Sequence, residues 1–166
     1  MNAASERAVC VYCASSKSSH PEYRAAASRL GGRVIGVLPR FMSDLEWGHK
    51  NLSELQVVED MRTRKHRMLA LSQAAIALPG GSGTLEELLE AITLKRLGLY
   101  VNPIVLVNTR DFFAPLLRML EHAVDEHFMD PRHRLMWQVV GRAEEVPAAL
   151  RDAPGWSAEA RSFAAV

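Results

Sequence analysis

Ala77-Leu78-Pro79-Gly80-Gly81-Ser82-Gly83-Thr84-Leu85-Glu86-Glu87 is the stretch whose reading decides the fold. The apolar run Ala74 to Leu78 predicts a buried strand, broken at a Pro-Gly-Gly turn. An amphipathic helix follows at once, with Leu85, Leu88, Leu89 and Ile92 spaced i, i+3, i+4, i+7 as its expected buried stripe. Glycines at 80, 81 and 83 allow backbone amides to crowd together. The helix start adds free N–H donors and the positive end of its dipole, which together favour an anion and most often a phosphate. Glu86 and Glu87 lie in or beside the first turn of the same helix. A phosphate cradle beside carboxylates is an active-site arrangement.

Working outward, further apolar, β-rich runs occur at Ala8–Cys13, Val34–Leu38, Ile104–Val107 and Met136–Val140. Helical patterns lie between them: Pro21 to Leu30, a long mixed stretch from Leu52 to Ser72, Leu85 to Leu97, and Phe112 to His127. Strands apolar on both faces and alternating with helices predict an α/β, Rossmann-like, doubly wound parallel sheet with helices on both faces. Ligands in such sheets sit at the carboxyl ends of the strands. Pro39, Pro79 and Asn108 follow strands directly, so their loops are expected to share one rim.

The 166 residues suit one domain with a single core, spanning 1–166 with a peripheral tail from about Arg151. Hydrophobic content of 48% and charged content of 23% are those of a soluble globular protein. A net charge of +1 points to neither nucleic acid nor a membrane surface. No apolar run is long enough for a transmembrane helix and the polar start Met1 to Arg7 has no signal-peptide core, so a cytoplasmic protein is expected. Cys10 and Cys13 form a C-x-x-C within a strand, where they read as two core cysteines rather than a redox or metal pair. The six histidines lack metal-ligand spacing, and the glycine turn lacks the lysine of a nucleotide-triphosphatase loop. No metal and no cofactor is expected.

Thr84 and Glu87 fit a capping box, in which Glu87 would reach back to a backbone N–H. Glu86 has no such structural role and shares a face with Thr93, so it is the favoured catalytic carboxylate. In Met61-Arg62-Thr63-Arg64-Lys65-His66-Arg67-Met68, the residues Arg62, His66 and Arg67 read as a solvated face. Arg64 and Lys65 instead fall three and four residues after Met61, within the apolar stripe. Charges there need a phosphate or an acid such as Glu86. Glu46, in the loop after Gly36-Val37-Leu38-Pro39-Arg40, is a candidate ligand contact, although a lone loop glutamate is usually only solvated.

P-G-G-S-G-T-L-E-E at Pro79 to Glu87, M-x-x-R-K at Met61 to Lys65 and V-I-G-V-L-P at Val34 to Pro39 together resemble the Lonely Guy family. These are cytokinin riboside 5′-monophosphate phosphoribohydrolases, long labelled as lysine decarboxylases. Val9 to Ser16 resembles the family's first strand and loop, with Ala14 where glycine is usual. The resemblance implies a Rossmann-like homodimer that cleaves nucleoside 5′-monophosphates, AMP or its N6-substituted relatives, to free base and ribose 5-phosphate. It also implies Arg64 and Glu86 as catalytic residues. Glu46, Lys65, Gly80, Gly81, Ser82, Gly83, Thr84, Leu85, Glu87 and Thr93 would bind substrate, with the phosphate at the Gly80–Thr84 turn.

One departure stands out. Family members carry a Gly-rich strand-turn-helix before the V-I-G-V-x-P strand, whereas here Ala25 to Leu30 runs straight into Gly31-Gly32-Arg33. The junction is either a deletion or a stretch left out of the chain, and it would remove a central piece of the sheet. Loss of that segment would suit a non-hydrolytic carrier of a nucleotide or of molybdenum cofactor, while Arg64 and Glu86 argue for an enzyme. A pyridoxal-dependent decarboxylase is disfavoured, because none of Lys17, Lys50, Lys65 and Lys95 has a convincing Schiff-base context.

Overall fold

A computed structural model describes residues 8–13, 20–22, 35–44 and 53–165. Strands β1 (Cys10–Tyr12), β4 (Ala75–Ala77), β5 (Ile104–Val107) and β6 (Gln138–Val140) form a parallel sheet in that spatial order. Strands β2 (Ile35–Pro39) and β3 (Glu54–Val58) form a separate parallel pair. Five α-helices lie wholly within the described residues, beside four short 3₁₀ helices: α1 (Arg40–Asp44), α2 (Met61–Ala70), α3 (Ser82–Arg96), α4 (Ala114–Asp125) and α5 (Val146–Arg151). The expected parallel α/β architecture is present.

Alternation along the strands explains the layers, since successive side chains leave a strand on opposite faces. Cys10, Tyr12, Ala75, Ala77, Ile104 and Leu106 point to one face, where Leu88 and Ile92 of α3 and Leu120 and Val124 of α4 cover them. Ile76, Leu78, Val105 and Val107 point to the other, under Val146 and Ala149 of α5. Burying Leu88 or Ile92 contributes about 2–3 kcal/mol each by transfer from water.

The stretch from Leu52 to Ser72 is not one helical unit. It divides into β3 and α2 at Asp60, whose carboxylate caps α2 by accepting from the Thr63 N–H at 2.7 Å. An Asp directly before an apolar-periodic run is a helix-start signal, and Val57-Val58 favours a strand. Three more expectations change. Leu89 is exposed at 40%, because the buried stripe of α3 is rotated away from it and runs through Thr84, Glu87, Leu88, Ala91, Ile92 and Lys95. Cys13 lies just past the end of β1 and is exposed, while Cys10 is buried. The capping box at Thr84 does not form: α3 starts earlier, at Ser82, with Gly81 as N-cap and no side-chain cap.

The carboxyl-terminal tail packs against the end of α3. Trp156 donates its indole N–H to the Lys95 carbonyl at 2.8 Å, and Ala160 and Ala164 are buried. Gly98 is left-handed (φ 66°), and a Cβ there would sit 2.7 Å from the Ala158 carbonyl oxygen. That position therefore needs glycine twice over. Of the helix expected over Pro21 to Leu30, only Pro21 and Glu22, both helical, are among the described residues.

Candidate active site

Leu78 donates its N–H to the Tyr12 carbonyl at 2.9 Å, which carries the β1–β4 pairing to the edge of the glycine turn. The chain then turns through Pro79 to Gly81 into α3, whose first bond runs from the Leu85 N–H to the Gly81 carbonyl. The amides of Ser82, Gly83 and Thr84 precede that bond and have no partner within the helix. Gly80 packs on Thr84 so closely that a Cβ would overlap the threonine side chain, whereas a Cβ at Gly81 or Gly83 would meet nothing among the described residues. The turn is thus tight beneath and open above. Open donors at a helix start are what an anion requires.

Beside the turn, α2 brings two cations to three carboxylates of α3. Arg64 donates through Nη1 to Glu87 Oε1 at 2.6 Å and through Nε to the Val37 carbonyl of β2 at 3.0 Å. Lys65 pairs with Glu86 and also with Glu90, the latter at 3.0 Å. The need for acidic partners, read from the position of Arg64 and Lys65 on the apolar stripe, is met by three glutamates, Glu87 for Arg64 and Glu86 with Glu90 for Lys65. Arg62, His66 and Arg67 are exposed, as their reading as a solvated face requires.

The two carboxylates of the first turns differ in setting. Glu86 is exposed at its outer edge. Glu87 is buried, and desolvation raises its pKa above the usual carboxylate value, with the Arg64 charge pulling the other way. Its role in the structure is to hold Arg64, which replaces the capping role. Lys65 is shifted upward by its hydrogen bond to Glu86.

Of the remaining sequence candidates, Gly81, Ser82 and Gly83 are exposed at the turn, Thr84 is buried under it, and Leu85 is half-buried against the core. Thr93 lies further along α3, its hydroxyl donating to the Leu89 carbonyl at 2.8 Å. Glu46 lies outside the described residues. Glu90 and the Val37 carbonyl were not singled out from sequence. Glu90 could have been found as the residue one helical turn past Glu86, whereas a backbone carbonyl carries no sequence signal. Among the described residues no group of three or more His, Cys, Asp or Glu could hold a metal ion.

A family model described as possible lysine decarboxylase matches residues 22–150. A cytokinin riboside 5′-monophosphate phosphoribohydrolase of Rhodococcoides fascians is 45% identical over 127 residues, covering 76% of this chain and 64% of that protein. Two enzymes of the same name from Arabidopsis thaliana are each 34% identical over 175 residues, covering 87% of this chain and 81% or 82% of theirs. This chain spans just under two thirds of the Rhodococcoides protein. An alignment of 175 positions is longer than the 166 residues here, so the Arabidopsis proteins carry residues with no counterpart in this chain. By its motifs, its parallel α/β fold and these matches, the chain belongs to the Lonely Guy family, whose model bears the description possible lysine decarboxylase.

Proposed function

We propose that this protein hydrolyses the N-glycosidic bond of nucleoside 5′-monophosphates of the cytokinin riboside or AMP type. The products are free base and ribose 5-phosphate. The observation that carries the reading is a half-buried Arg64 locked to a buried Glu87 beside an open turn whose amides have no partner within the helix. The names of the relatives support the same chemistry.

In this mechanism the amides of the Gly80–Thr84 turn hold the phosphate and so fix the ribose, away from the bond that breaks. The C1′–N bond opens through an oxocarbenium-like ribose, water adds its oxygen to C1′, and the base leaves with a proton. A carboxylate beside C1′ stabilises the cation and takes the proton from water. The guanidinium of Arg64 holds that carboxylate and offsets negative charge on the departing base. Burial and the contact with Arg64 favour Glu87 for this role, with Glu86 and Glu90 orienting Lys65; the sequence pattern favours Glu86. Glu46 and Thr93 remain proposed ribose or base contacts. We further infer a cytoplasmic homodimer, for which the exposed Leu89 on α3 is available surface. No helix among the described residues is long and apolar enough to cross a membrane.

The test is release of free base from AMP and from isopentenyladenosine 5′-monophosphate. Arg64→Ala and Glu87→Gln are expected to lower kcat by about 10²–10⁴-fold, the usual worth of a positioned proton-transfer or charge-stabilising group. Glu86→Gln is expected to cost about tenfold or less, acting through Lys65. A reversed order of the two Gln variants would move the reaction to Glu86. Nucleotide binding by wild type without base release would overturn the hydrolase reading in favour of a carrier.

A further inference from the structure

The loop after β5 contains two consecutive residues in the left-handed region, Arg110 (φ 56°, ψ 32°) and Asp111 (φ 56°). Neither is glycine; Arg110 is strained there by its Cβ, whereas Asp111 is eased by the local hydrogen bond of its short side chain. The strain is held in place locally. Asn108 Oδ1 accepts from the Phe113 N–H at 2.7 Å, its Nδ2 donates to Asp111 Oδ1 at 3.3 Å, and its carbonyl accepts from the Asp111 N–H at 3.0 Å. This posture presents Arg110 Nη1 to Glu22 Oε1 at 3.5 Å.

The position of that ion pair follows from strand order. Glu22 belongs to the segment after β1 and Arg110 to the loop after β5, and β4 lies between these two strands. β4 and β5 are parallel neighbours with Ala77 opposite Leu106, so Arg110 and Gly80, each three residues past its strand, leave the sheet at the same rim on strands about 4.8 Å apart. The carboxyl end of β4 is where the Pro79–Gly81 turn begins. A half-exposed ion pair stabilises a fold little. A strained arginine beside so weak a pair points to use elsewhere.

Accepting that the turn holds the phosphate of a nucleoside monophosphate, we propose that Arg110 is a further phosphate contact, a guanidinium strap that exchanges Glu22 for the bound ligand. A guanidinium fork matches phosphate oxygens and binds them more strongly than a single exposed carboxylate at 3.5 Å. Glu22 parks the strap and competes with the ligand for it. The two residues therefore act on affinity with opposite signs.

The experiment uses the full chain, with AMP as ligand, and measures Kd by calorimetry, kcat and KM by base release, and Tm. Arg110→Gly removes the guanidinium and relieves the left-handed strain, so Tm stays level or rises. Kd and KM for AMP are expected to rise about tenfold with kcat nearly unchanged, the loss of one charge-assisted contact. Glu22→Gln is expected to lower Kd. An unchanged Kd in Arg110→Gly, or a fall in Tm with kcat and KM both degraded, overturns the strap. AMP binding without base release would sink the hydrolase reading alone, and the Kd ratio would still decide Arg110. Failure of wild type to bind AMP would overturn both.

Discussion

The two ends of α3 are built on opposite plans. At the amino end no side chain caps the helix, Gly81 and Gly83 face open space among the described residues, and the cations are gathered from a neighbouring helix. At the carboxyl end everything is closed. Lys95 is 2% exposed, donates to the Asn102 carbonyl at 2.7 Å and lies 5.7 Å from the Trp156 ring centre. Trp156 in turn packs against Phe163 and the wholly buried His133. One helix thus anchors rigidly at one end and keeps its donors available at the other, the division of labour that a preorganised anion site needs.

Three substitutions test that contrast. The largest effect is expected from Arg64→Ala at the open end, which strands the buried Glu87 carboxylate without its partner. Loss of one member of a buried pair costs about 3–5 kcal/mol, read as a lower midpoint in urea unfolding. A cost below about 1 kcal/mol would mean that the pair acts as a surface contact. Next is Lys95→Met at the closed end. Burial lowers the Lys95 pKa to about 8 from an ordinary value of 10.5. Between these values the unfolded chain holds a proton that the folded one has lost, so this residue makes stability rise with pH across that window. The wild-type curve minus that of Lys95→Met should rise by about 2–3 kcal/mol from pH 8 to 10.5, and a flat difference would refute the assignment. The smallest is Trp156→Ala, expected to cost about 2 kcal/mol in stability while leaving KM unchanged, since it unseats only the tail. A raised KM at full folding would show that the closed end communicates with the open one.

The same contrast shows what could be read from the chain. The strand, glycine turn and helix around Pro79 were legible because each uses a strong local signal: an apolar run, adjacent glycines, a helical period. The demand for acids opposite Arg64 and Lys65 was legible too, as two charges on an apolar stripe. Which glutamate meets which cation was not, because adjacent residues on a helix differ by only about 100° of rotation. A helix start placed at Thr84 rather than Ser82 was enough to give Glu87 a capping role it does not have. β3 was hidden because its alternation is shallow and α2 follows after only Glu59 and Asp60. The tail was unreadable for a different reason: Trp156 meets Lys95 across 61 residues of chain, and no local pattern encodes that.

Arg64 also does something for the β2–β3 pair, which among the described residues shares no strand ladder with the main sheet. Its Nε is bound to the Val37 carbonyl of β2 while its Nη1 is bound to Glu87 of α3. Any ligand that draws on this guanidinium is therefore thermodynamically linked to the seating of the ribbon, and the linkage runs both ways. Ligand occupancy should be legible as slowed amide exchange in Ile35–Pro39, and a loosened ribbon should be felt as weakened ligand affinity through Arg64.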